Sequence, residues 1–280
     1  MNSSGLCAIL AAALGLEAGA LAAGPIPPEA LDHLPVADVV VLGEVHDNPA
    51  HHENQARALA ALQPRALVFE MLTPDQVRRL PAERSDPVAL EAALGWRAAG
   101  WPDFAMYHPL FTVAPAAQIF AGAMARADVV RSMREGAAAV FGPDAAGYGL
   151  TAVLAPPLRA ALEAEQAQAH CEALPAELLP GMVEAQRLRD AALARAVVAA
   201  MAATGGPVAV ITGTGHARKD RGVPLVLAGA APALRVLAIG QAEADPGADA
   251  PFDLWLITAP VDRGDPCAVF ANRAGVPQGS

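Results

Sequence analysis

Positive charge is scarce in this chain. Its 280 residues hold 19 Lys and Arg against 29 Asp and Glu, a formal net charge of −10. That balance excludes the basic footprint on which nucleic-acid binding depends. Charged residues of both signs reach only 17%, while hydrophobic residues reach 54%. Disorder needs the opposite proportions, so the chain folds around a sizeable core. Aromatics are also few, at 4%, and only two are tyrosines. Any chemistry that calls for a phenol has Tyr107 and Tyr148 to draw on. No repeat of fixed period appears, and no linker divides the chain.

What is present begins with an apolar run over residues 6–23, ending in Ala20-Leu21-Ala22 before a proline-rich stretch. A short apolar run followed by an A-x-A site is the pattern of a secretory signal. No Lys or Arg precedes it and Glu17 interrupts it, so a buried or anchoring helix is the alternative. Export is the better reading, with a leader over 1–22 and a mature chain over 23–280. Cys7 lies too early in the run for lipid attachment. Removing the leader leaves Cys171 and Cys267, an even pair that is either one disulfide or two free buried thiols. No second run resembles a membrane span.

Strand signals recur along the chain. Residues 36–42 are apolar, valine-rich and bounded by Pro35 and Gly43, the pattern of a buried parallel strand. Residues 48–62 carry apolar positions at helical spacing behind Asn48-Pro49, and 66–69 form the next strand. Strand, helix, strand in this order is a βαβ unit. Residues 86–203 read as a mostly helical insertion, with a further strand at 117–123. Strands follow at 207–212, 235–239 and 254–258, and 241–251 reads as an exposed loop. The expected fold is α/β: one domain built on a mostly parallel central sheet of five or six strands, flanked by helices.

Three strands end in polar residues that packing alone would not select. The first ends Gly43-Glu44-Val45-His46-Asp47, the second Phe69-Glu70-Met71, the third Gly213-Thr214-Gly215-His216. In an open parallel sheet ligands bind beyond the carboxyl ends of the strands. Parallel neighbours would thus gather Glu44, His46, Glu70 and His216 in one crevice. Gly43, Gly213 and Gly215 would let backbone approach a ligand closely. Two carboxylates and two imidazoles suit a divalent metal ion, or acid–base catalysis in a hydrolase. The plain alternative is four strand-end residues hydrogen-bonded to loops. His51 and His52 open a helix and read as surface residues.

Taken in order, Val41-Leu42-Gly43-Glu44-Val45-His46-Asp47-Asn48, Phe69-Glu70-Met71 and Gly213-Thr214-Gly215-His216-Ala217-Arg218 resemble the successive signatures of the ChaN-like family. That family is grouped with Tiki, TraB and erythromycin-esterase proteins. Trp101-Pro102-Asp103-Phe104 with Tyr107, and Gln186 with Arg189-Asp190, resemble it too. The likeness runs from about residue 30 to 260.

The resemblance implies haem binding linked to iron uptake, by an exported periplasmic or lipid-anchored protein. It also implies a possible homodimer around two haems with a tyrosine on the iron. Tyr107, Gly43, Gly215 and Arg218 are the implied haem contacts. A phenolate is a sound ferric-haem ligand, and His170 and Met182 rank below Tyr107. With no Cys-x-x-Cys-His, binding would be non-covalent. The rival reading is a metal- or Glu/His-dependent hydrolase using Glu44, His46, Glu70 and His216.

Overall fold

β-Branched runs bounded by proline and glycine form the sheet, and alanine-rich segments behind capping residues form the helices. The computed structural model describes residues 23–265, 267 and 268, so the expected leader lies outside the described residues. In chain order come β1 (Gly24–Pro25), β2 (Val39–Glu44), α1 (Pro49–Leu62), β3 (Ala66–Phe69), α2 (Pro74–Arg78) and α3 (Pro87–Leu94). Then follow α4 (Trp96–Ala99), α5 (Phe104–Thr112), β4 (Gln118–Ala121), α6 (Arg126–Glu135), α7 (Ala137–Phe141) and α8 (Pro156–Ala169). The chain continues through α9 (Leu179–Thr204), β5 (Val208–Gly213), α10 (Val223–Ala230), β6 (Val236–Ala242) and β7 (Leu254–Ile257).

The seven strands form one sheet in the order β1-β7-β6-β2-β5-β3-β4, and every pair is parallel. The fold is therefore α/β, with one more strand than the sequence signals. The added strand, β1, is two residues long, too short to leave a pattern. From β2 the chain runs through α1 to β3, beyond β5; from β5 it runs through α10 to β6, beyond β2. The two connections run in opposite directions on opposite faces of the sheet, so the carboxyl ends of β2 and β5 open a crevice at the switch point.

Alternation along each strand splits the core between the two faces. Val40, Leu42, Leu67, Phe69 and Ile211 pack with α1 and α5, around Leu59, Trp96 and Phe111. Val39, Val41, Val68 and Val210 pack against Leu193 and Val197 of α9 and Leu227 of α10. Each such aliphatic side chain, once buried, stabilises by roughly 1.5–3 kcal/mol.

Two readings of the sequence are corrected. His51 and His52 are not surface residues, being 0% and 2% exposed. They share the inner face of α1 with Ala58 and Leu59, seven residues on in each case. Gln241 is not in a loop: it lies in β6, buried, and its amide donates to the Gly43 and His51 carbonyls.

Candidate functional site

Sheet register assembles the cluster. Glu44 lies beside Gly213 across β2 and β5, and Phe69 lies beside Ile211 across β3 and β5. Glu44 shares the parity of Val40 and Leu42, so it faces α1 and α5. Glu70 shares the parity of Val68 and faces α9. The two carboxylates thus emerge on opposite sides of the sheet edge, with His46 between them.

On the α5 side the Tyr107 hydroxyl donates to Glu44 Oε1 at 2.8 Å, and His46 Nδ1 approaches the same oxygen at 2.8 Å. His52 Nδ1 stands 3.3 Å from Glu44 Oε2 and equally 3.3 Å from Gln55 Oε1. With no aligned donor on Oε2, the contact of His52 with Glu44 is ionic rather than a hydrogen bond. Burial acts to raise the Glu44 carboxyl, but the neighbouring imidazoles outweigh it and hold it below the usual range. Both His46 and His52 are disfavoured as cations by burial, yet Glu44 raises them above the ordinary histidine value.

On the α9 side His216 lies between two carboxylates. Its Nδ1 is 2.7 Å from Asp190 Oδ1, and its Nε2 is 3.4 Å from Glu70 Oε1. Glu70 Oε2 accepts from the Thr212 hydroxyl and the Gly213 N–H, both at 2.7 Å. Burial opposes the charge on His216, but Glu70 and Asp190 together push its pKa up to about 10. Burial likewise opposes the charge on Glu70, and His216 more than compensates, holding it well down. For Asp190 burial prevails and raises the carboxyl. The pair therefore carries its proton on His216, with Glu70 ionised.

His46 Nε2 is 4.0 Å from Glu70 Oε1 and joins the two halves. Its side chain is 33% exposed, against 7% for His216 and 0% for Glu44, so it is the cluster's window to solvent. The Trp101 ring meets it edge-on at 5.1 Å. The four expected residues do converge. Among the described residues, however, no group of three or more His, Cys, Asp and Glu side chains is arranged to hold a metal ion. Their facing atoms are spent on one another.

The other expected contacts divide. Tyr107 is fully buried and belongs to the Glu44 half. Burial first, then the Glu44 charge, push its phenol far above the ordinary value. Gly43 and Gly213 are needed for close packing within the protein. A Cβ at Gly213 would lie 3.0 Å from His46 Nε2, and one at Gly43 would lie 3.0 Å from Thr214. A Cβ at Gly215 would meet nothing within 4 Å, and Gly215 lines, with Arg218, a cavity of about 420 Å³. That cavity is walled by Leu162 and Glu165 of α8, Val183 and Asp190 of α9, and Arg221. Asp190 thus links cavity and cluster.

Reading strand ends alone misses Asp190 and His52. Each had a signal, a polar residue inside an apolar helical stripe. Asp190 lies seven residues from both Val183 and Val197, all of them buried on α9.

A family model described as "Haem-binding uptake, Tiki superfamily, ChaN" matches residues 30–227. A solved structure described as "Cofacial heme binding to ChaN of Campylobacter jejuni" superposes with a TM-score of 0.56. Identity is 19%, over 80% of this chain and 87% of that one, which is a likeness of fold. No curated protein matches the chain. The family match takes in β2, β3 and β5, and with them Glu44, Glu70 and His216, and on its extent the chain belongs to the ChaN family of the Tiki superfamily.

Proposed function

We propose that the protein binds haem non-covalently in the cavity between α8, α9 and the loop after β5, in the service of haem or iron uptake outside the cytoplasm. Family membership carries this reading. The cavity's volume of about 420 Å³ is within the ordinary range for small-molecule sites. Leu162, Val183 and Ala169 offer apolar contact, while Arg218 and Arg221 offer partners for carboxylates such as the haem propionates. Export is supported by the leader-like run and by the Cys171–Cys267 disulfide, a bond favoured in oxidising compartments. No helix among the described residues is long and apolar enough to cross a membrane.

The iron ligand is better sought at the cavity than at Tyr107. The Tyr107 proton is committed to Glu44, and its phenol is the opposite of a ready phenolate. Tyr148 packs on Phe141 at 5.0 Å. His170 follows the cavity-lining Ala169, and Met182 precedes the cavity-lining Val183. His170 Nδ1 donates to the Gln166 carbonyl at 2.8 Å. A hydrolytic reading of Glu44, His46, Glu70 and His216 calls for a base ready to take a proton near neutral pH. His216, already a cation between two carboxylates, does not offer one.

Ferric haem added to the protein should give a saturable Soret shift. Arg218→Ala and Arg221→Ala should each weaken binding roughly tenfold, the scale of one charged hydrogen bond. His170→Ala should change the spectrum more than Tyr107→Phe. Light scattering should show the mass double with haem if two copies enclose the ligand. An unchanged haem spectrum across the titration would sink the proposal.

A further inference from the structure

The helix α8, which forms one wall of the cavity, is unusual in having no buried residue along its whole length, Pro156–Ala169. It lies along α9 and contributes Leu162, Glu165 and Ala169 to the cavity wall. Its polar tether is an ion pair between Glu165 and Arg221 at 2.6 Å, with side chains 39% and 24% exposed. An ion pair that open to solvent holds a helix weakly. The chain then leaves α8 through Cys171 and Glu172, at φ 57° and 55°. Two consecutive non-glycine residues in the left-handed region form a conformation that side-chain-bearing residues rarely adopt. Within the segment, the Glu172 N–H donates to the Ala167 carbonyl at 2.9 Å and the Cys171 N–H to the Gln168 carbonyl at 3.0 Å.

A covalent bond lies at the same point. Cys171 is joined to Cys267, 96 positions on in sequence, with Cα atoms 5.6 Å apart. Cys267 lies just past a strap, residues 258–265, that runs on from β7 and is itself pinned. The Arg263 guanidinium pairs with Asp47 at 2.6 Å and with Glu243 at 2.6 Å. The Asn48 side chain donates to the Ala259 carbonyl. Asp47 follows His46 at the end of β2, so the strap is anchored on the sheet edge and the disulfide ties α8 to it. Both cysteines are only partly buried, so a reductant can reach the bond.

We propose that α8 is a lid over the cavity, latched shut by the Cys171–Cys267 disulfide, and that reduction by a dithiol opens it. The latch regulates the cavity to which haem binding is assigned, and its role in haem release rests on that reading. The chemistry is a two-electron exchange. The dithiol supplies two electrons and two protons, the S–S bond breaks to two thiols, and the dithiol closes to its own disulfide. Release leaves Cys171 and Glu172 held by their local hydrogen bonds to the last turn of α8. α8 then keeps its contact with α9 and the Glu165–Arg221 pair.

Hydrogen exchange on the full mature chain, oxidised and after dithiothreitol under native conditions, tests the lid without any ligand. Amides of α8 should exchange at least about tenfold faster in the reduced protein, by a local opening, and faster there than those of α9. Equal α8 rates in both states would overturn the latch. So would α8 amides that exchange in the reduced protein only as fast as those of α9, because α8 would then open only with the whole fold. Glu165→Gln should speed α8 exchange further in the reduced protein and little in the oxidised one. The same dependence on Glu165 in both states counts against the disulfide as the latch. Transfer of bound ferric haem to excess apomyoglobin should quicken roughly tenfold on reduction, following the opening of the lid. If ferric haem binds in neither state, the haem reading fails while the exchange comparison still decides the lid.

Discussion

His216 holds its proton because two carboxylates face it, Asp190 at 2.7 Å and Glu70 at 3.4 Å. In the fold its pKa is about 10, above the ordinary value of 6.5. Folding is therefore favoured in full below about pH 6.5, and this contribution is lost as pH rises through 10. Melting temperature should fall between pH 7 and 10, and His216→Gln should flatten that slope. A slope unchanged in the variant would show that other groups set the alkaline limit. Glu44 offers a matching test. Its carboxylate serves Tyr107, His46 and His52 at once, so Glu44→Gln leaves two imidazoles without their anion. Breaking a buried pair from one side costs about 3–5 kcal/mol, which urea unfolding would register. A loss under about 1 kcal/mol would place the cluster among weak surface pairs. The four strand-end residues were legible because Glu and His do not belong at the ends of apolar strands. His51 and His52 were not, because a helix N-terminus looks like surface until its neighbours are known. His51 accepts the Val45 N–H at Nδ1 and lies 2.7 Å from the Thr258 hydroxyl at Nε2, partners distant in sequence or in the backbone. Burial lowers its pKa to about 4, so it stays neutral.

At the scale of elements, the strands carry the site by register and the helices supply what completes it. α1 keeps the bounds its sequence implies, from Pro49 behind the Asn48 cap to Leu62, since capping and helical spacing are local signals. β6 outruns its apolar stretch to Ala242, because Gln241 finds buried carbonyl partners that composition cannot foresee. Asp190 and Tyr107 came into view only through likeness to a family, since their partners lie on other elements. Gly213 shows how closely two strands and a side chain must meet. A methyl group there would sit 3.0 Å from His46 Nε2 and 3.7 Å from Glu70 Oε2. His46 would have to swing away from Glu70 toward solvent. Gly213→Ala should destabilise by about 1–3 kcal/mol, as overpacking does, and should shift the His46 ring signals while leaving those of His51 in place. Unmoved His46 resonances would mean that the edge has slack the packing does not show.

At the scale of the molecule, the first and last parts of the described chain are both tied back to the sheet. β1 pairs with β7, the Arg263 strap returns to Asp47, and Cys267 reaches across to Cys171. The all-parallel order makes these closures long-range, so the unfolded chain has much freedom to lose before any of them forms. The disulfide removes part of that freedom in advance. Across a separation of 96 residues, chain-entropy arguments give a stabilisation of about 4.7 kcal/mol. For a domain of this size each kcal/mol moves the melting temperature by roughly 2–4 °C. The reduced protein should thus melt roughly 10–20 °C below the oxidised one. The Cys171→Ser, Cys267→Ser double variant should match the reduced protein and show no response to reductant. The gap should persist with or without haem, because it originates in the unfolded chain, whereas lid opening is a property of the folded one. Calorimetry on the oxidised, reduced and double-variant proteins separates the two. A reduced protein that melts within about 3 °C of the oxidised form would mean that native contacts, with the Arg263 strap foremost, close the fold without the covalent bond.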